Sequence, residues 1–99
     1  MTVKEQVIRT VESIDGMYWP NNATGYGHRG VPDLTIILHG GHIVLVEIKE
    51  PNDKERPLQR KLAKLLAARG VERLIATPDT VDDVCRRLET YDAETKNAS

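Results

Sequence analysis

Residues 30–50 read GVPDLTIILHGGHIVLVEIKE, with two aliphatic runs, LTIIL and IVLVEI, on either side of Gly40-Gly41. Short β-branched runs joined by a glycine pair predict a β-hairpin. The hairpin has charged ends: Asp33 opens it, and Glu47 and Lys49 close it. An unpaired buried charge is costly, so these groups need partners or a task. Two registers are open. A two-residue turn at Gly40-Gly41 pairs His39 with His42 and sets Asp33 opposite Ile48, with Glu47 on the other face unless a bulge intervenes. A three-residue turn, His39-Gly40-Gly41, pairs Leu38 with His42 and sets Asp33 opposite Glu47. Lys49 follows Glu47 by two residues and so shares its face.

The hairpin sits inside a helical frame. Val3, Val7, Val11 and Ile14 recur at helical spacing, Thr2 and Glu5 form a capping-box pattern, and Asp15-Gly16 ends the segment. MYWPNNATGYGHRG reads as a long loop, suspect as a functional one. After the hairpin, Pro57 starts a helix striped by Leu58, Leu62, Leu65 and Leu66, which Gly70 stops. Val71 to Thr77 reads as a strand. Thr80 then caps a short helix carrying Val81, Val84 and Leu88. The order is α-β-β-α-β-α, an α/β fold with a small mixed sheet of three to four strands. With 99 residues there is room for one domain, taken as 1–91, and the polar stretch 92–99 is expected to fray.

Net charge is −1, so a nucleic-acid partner would have to be met by a local basic patch. Half of the 14 Lys and Arg residues fall between Lys54 and Arg73, giving the second helix a basic face. Such a face is also an ordinary solvated helix surface. The lone Cys85 cannot close an internal disulfide. No leader is recognised and no apolar run is long enough for a membrane, so a cytoplasmic protein (host cytoplasm if phage-encoded) is expected.

Two carboxylates and a backbone carbonyl at a strand end are hard oxygen ligands, suited to Mg²⁺ or Mn²⁺. A neighbouring ammonium can orient water or neutralise phosphate charge. The same residues also fit a surface Glu–Lys pair with Asp33 capping a turn. His39 and His42 at the hairpin tip are expected to face solvent rather than hold a metal.

Pro32-Asp33, a hairpin, then Glu47-Ile48-Lys49 resembles the PD-(D/E)XK nuclease motif. The fuller string, Gly30-Val31-Pro32-Asp33-Leu34 through Val46-Glu47-Ile48-Lys49 to Leu58-Gln59, is similar to the VRR-NUC branch of that superfamily over roughly Glu5 to Val84. The resemblance implies a restriction-endonuclease-like core and Mg- or Mn-dependent cleavage of DNA. It implies metal binding by Asp33, Glu47 and the Ile48 carbonyl, catalysis by Lys49, and support from Gln59. It also implies a Glu on the first helix, for which Glu5 is the best match and Glu12 the rival. Stand-alone members resemble four-way-junction resolvases and act as homodimers, which sets the expectation for duplex or branched DNA and for two subunits here.

His28, Arg29, Arg56, Arg60, Lys61 and Lys64 are the candidate phosphate contacts. Tyr18 and Tyr26 are candidates for stacking on unpaired bases, and Trp19 is expected to cover the edge of the core. The reading from another class is a non-catalytic nucleic-acid-binding module with structural acids.

Overall fold

The computed structural model describes residues 1–21 and 31–98. The elements are α1 (Val3–Ser13), β1 (Met17–Pro20), β2 (Leu34–Ile37), β3 (Ile43–Ile48), α2 (Pro57–Ala68), β4 (Glu72–Ala76) and α3 (Val81–Ala98). The four strands form one mixed sheet in the order β1-β2-β3-β4, antiparallel except for the β3/β4 pair. The expected α/β class and element order hold, with one added strand. Met17–Pro20, read from sequence as loop, pairs along the outer edge of β2. An uncovered edge of β2 would expose unpaired N–H and C=O groups, and Pro20 is tolerated because β1 is itself an edge strand.

The core lies on one face of the sheet, beneath α1 and α3. Val7 and Val11 from α1 meet Leu34, Ile36 and Leu38, then Val44 and Val46, then Val84, Leu88 and Tyr91 of α3. The alternation along β2 and β3 does this: even-numbered residues point into the core, odd-numbered ones to the opposite face. Helix α1 starts as expected, with the Thr2 hydroxyl accepting the Glu5 N–H at 3.1 Å. Past its C-cap Ile14 the chain turns away at Asp15, whose φ is +57°, and the Gly16 N–H donates back to Val11 O at 2.9 Å.

The hairpin takes the three-residue turn. Ile37 pairs with Ile43, and the Leu38 N–H donates to His42 O at 2.8 Å. Gly40 and Gly41 both have φ of +77°, a region that favours glycine. A Cβ on Gly40 would also run into the Thr95 side chain of α3.

Helix α3 departs from the sequence reading in three ways. It is not short, since it runs on to Ala98 through the stretch expected to fray. Tyr91 and Asp92 on this extension are buried against the hairpin tip, where Asp92 Oδ1 lies 2.8 Å from His39 Nδ1 and Tyr91 stacks on His42. His39 is therefore not a free solvent-facing group. Finally, the Thr80 hydroxyl turns backwards, accepting the Thr77 N–H and donating to Ile75 O, both at 2.9 Å.

Helix α2 packs on the other side of the sheet, against β4, and none of its residues is fully buried. Leu58 and Leu65 stay about half exposed. Its N-terminus stands over the end of β3, which is where the charged ends of the hairpin emerge.

Candidate active site

The three-residue turn sets Asp33 directly across from Glu47, one step beyond the Leu34–Val46 pair. Continuing the ladder one more step would point the Ile48 N–H at the Pro32 carbonyl. That carbonyl instead accepts from Asn21 Nδ2 at 3.0 Å, and Asp33 Oδ2 takes the Ile48 N–H at 2.7 Å. The Asn21 N–H in turn donates to Asp33 O at 2.8 Å, so the acid is held from both sides of its strand. Its carboxylate is fixed against β3 on the face opposite the core, beside Glu47.

Glu47 is 4% exposed. Its Oε1 accepts from Gln59 Nε2 at 3.0 Å, while Oε2 is buried without a hydrogen-bond partner. Burial, the negative charge of Asp33 and the hydrogen bond a protonated Glu47 makes to Asp33 raise its pKa from 4.5 to about 7. Lys49 and Arg73 pull the other way without prevailing. This is an acid that lacks a positive partner on one oxygen.

Lys49 rises from the same face, with its own N–H tied to Ala76 O of β4 at 2.9 Å. Its Nζ donates to Gln59 Oε1 at 2.8 Å and to Lys54 O at 3.3 Å. Gln59 is thus the hub. Its amide oxygen accepts from Lys49 and from the Arg56 N–H at 2.9 Å, and its amide nitrogen reaches Glu47. These donor and acceptor roles fix the orientation of the amide. The bond to Arg56 also ties down an otherwise free N–H at the start of α2, the reciprocal half of a capping box.

Asp33, Glu47, Ile48, Lys49, Arg56 and Gln59 all line one cleft of about 710 Å³ between the sheet and α2. Arg60, Lys61 and Lys64 are carried along α2 beyond it, and Arg60 leans toward Glu55 at 3.7 Å. Glu5 and Glu12 are exposed on α1, which packs with α3 and β1, and neither lines the cleft. His28, Arg29 and Tyr26 lie outside the described residues. Trp19 does not cover the core edge. It is 46% exposed, on the face it shares with Thr35, over which no helix among the described residues packs.

Sequence reasoning missed Asn21 and the Glu55–Arg73 pair. The Arg73 guanidinium donates to Glu55 Oε1 at 2.6 Å and holds that carboxyl below the usual carboxylate range. The two residues are 18 positions apart, and no spacing rule marks them.

Among the described residues no three His, Cys, Asp or Glu side chains converge into a ready metal cage. The pair that does converge still fits a hard divalent cation. Two carboxylates face each other, one buried oxygen lacks a partner, and the cleft has room for the waters such an ion keeps. No helix among the described residues is long and apolar enough to cross a membrane.

No family model matches the chain. It is 34% identical over 67 residues to a protein named "Putative nuclease p44" from Acyrthosiphon pisum secondary endosymbiont phage 1, covering 67% of this chain and 70% of that protein. It also superposes on a solved structure described as a VRR_NUC domain, with a TM-score of 0.70 and 27% identity over 85% of this chain and 90% of the other. The restriction-endonuclease-like α/β core, the Asp33–Glu47–Lys49 arrangement at the hairpin ends and the phage relative agree: this chain belongs to the VRR-NUC family of nucleases.

Proposed function

We propose that the protein is a Mg²⁺- or Mn²⁺-dependent DNA endonuclease selective for branched structures such as four-way junctions. The observation that carries this reading is the buried Glu47 with its unpartnered Oε2, set beside Asp33 and next to a lysine held at two points. Asp33 and Glu47 would hold the ion together with the Ile48 carbonyl. A divalent cation bound there supplies Lewis-acid polarisation of the scissile phosphate and a lower pKa for the attacking water.

The chain's own residues do the rest. Gln59 keeps Glu47 Oε1 and Lys49 Nζ at fixed positions, so neither must reorganise during the reaction. Lys49 places an ammonium at the mouth of the carboxylate pair, where it orients water or offsets charge building on the phosphoryl oxygens. Arg56, Arg60, Lys61 and Lys64 extend positive charge along α2 away from the cleft, suited to backbone phosphates rather than to bases. A homodimer would present two such clefts to two symmetry-related strands. The row Met17–Ile37–Ile43, in which Met17 is 64% and Ile43 42% exposed, would supply an apolar interface for such a dimer.

Cleavage of duplex, flap and four-way-junction DNA with Mn²⁺ or with EDTA tests the reading. It expects Mn²⁺-dependent cutting, strongest on the junction and absent in Asp33→Asn. Binding of all three substrates with no cleavage in any metal would favour the non-catalytic module.

A further inference from the structure

In the loop between β3 and α2, the Glu55 side chain reaches across to Arg73 of β4. Glu55 Oε1 accepts from Arg73 Nη2 at 2.6 Å, and Glu55 Oε2 lies 3.7 Å from Arg60 Nε. Arg73 is well covered, with its side chain 13% exposed and its Nη1 buried without a partner. The guanidinium therefore has little freedom to follow the loop, and the loop is held to it.

The peptide groups on either side of the Glu55 Cα both touch the site. The carbonyl of the 54–55 peptide, Lys54 O, accepts from Lys49 Nζ at 3.3 Å. The N–H of the 55–56 peptide, Arg56 N, donates to Gln59 Oε1 at 2.9 Å. Gln59 Oε1 is also the closer partner of Lys49 Nζ, at 2.8 Å. Pinning the Glu55 side chain sets the orientation of both planes, and through them the lysine.

We propose that the Glu55–Arg73 ion pair is a latch that positions Lys49 and Gln59 for the reaction, with Glu55 and Arg73 as positioning residues rather than catalytic ones. Arg73 is mostly buried, so breaking the pair also costs stability, and the test separates that cost from the positional effect. The kinetic consequence rests on the nuclease reading; the positional one does not.

The test uses Glu55→Gln, with Arg73→Lys as the second variant, against wild type. The first readout is pulse acetylation of lysines followed by mass spectrometry. Release of Nζ should raise the acetylation rate of Lys49 severalfold and leave Lys4 and Lys64 unchanged. The second is single-turnover cleavage in Mn²⁺ at saturating DNA, which should fall about 10- to 100-fold, as expected for a misplaced reacting group. Unchanged Lys49 acetylation in both variants overturns the latch, as does a cleavage loss that merely tracks a lowered melting temperature. If wild type does not cleave, the nuclease reading fails, and the acetylation result alone decides the latch.

Discussion

Replacing Glu47 by Gln should make the metal-free protein more stable near neutral pH. The side chain is almost fully buried, and its pKa stands at about 7 instead of 4.5. A tenfold change in proton affinity corresponds to about 1.4 kcal/mol, so the ionised form carries a penalty of about 1–3 kcal/mol once side-chain relaxation is allowed for. The amide removes that charge and keeps the shape. One amide atom still accepts from Gln59 Nε2, and its new N–H₂ occupies the unpartnered Oε2 position beside Asp33. The direction with pH follows from proton binding. Below about 4.5 the group is protonated in both states, and its favourable contribution is fully present. Between 4.5 and about 7 the folded chain holds a proton that the unfolded chain has lost, so stability falls as pH rises. Glu55, with its pKa lowered by Arg73, acts in the opposite sense at lower pH, so the comparison is between wild type and variant rather than within one curve. Urea unfolding in EDTA at pH 5 and pH 8 measures it. Glu47→Gln should gain about 1–3 kcal/mol over wild type at pH 8 and much less at pH 5. Excess Mn²⁺ should then stabilise wild type but not the variant. A variant less stable than wild type at pH 8 would refute the reasoning that this acid is strained by its neighbours.

Asp33→Asn and Lys49→Ala should each lower Mn²⁺-dependent cleavage by at least about 100-fold, measured in single turnover, with native circular dichroism retained. Gly40→Ala combines a φ of +77° with a collision at Thr95, and should cost about 1–3 kcal/mol in thermal unfolding. Lys61→Glu and Lys64→Glu should weaken binding to all DNA substrates alike, each reducing the slope of log affinity against log salt by about 1. Sedimentation equilibrium should show a dimer for wild type and a monomer for Met17→Asp combined with Ile43→Asp.

The parts of the fold legible in sequence are those set by neighbours in the chain. The hairpin follows from two aliphatic runs and a glycine pair. Sequence narrows its register to two options, and the one that sets Asp33 opposite Glu47 is the one formed. Helix α1 follows from valine spacing, a Thr cap and Asp15-Gly16. The parts that are not legible depend on distant contacts. Four residues, MYWP, are too few to show alternation, and they form a strand because the edge of β2 needs a partner. DAETKNAS looks like a frayed tail by composition, yet Tyr91 just ahead of it and Asp92 at its start are held by His42 and His39 of the distant hairpin tip. In the site, Asp33, Glu47 and Lys49 are marked by their place at the ends of apolar runs. Gln59 is marked only by family resemblance, because a glutamine in the first turn of a helix has no distinguishing signal. Glu5 matches a pattern, but α1 carries it on a helix that does not border the cleft.

Calorimetric titration with Mn²⁺ tests the central claim, that Asp33 and Glu47 together form a cation site. Wild type should bind one ion per chain, and Asp33→Asn and Glu47→Gln should each lose that binding while remaining folded. Equal Mn²⁺ binding by wild type and both variants, or none by wild type, would contradict it.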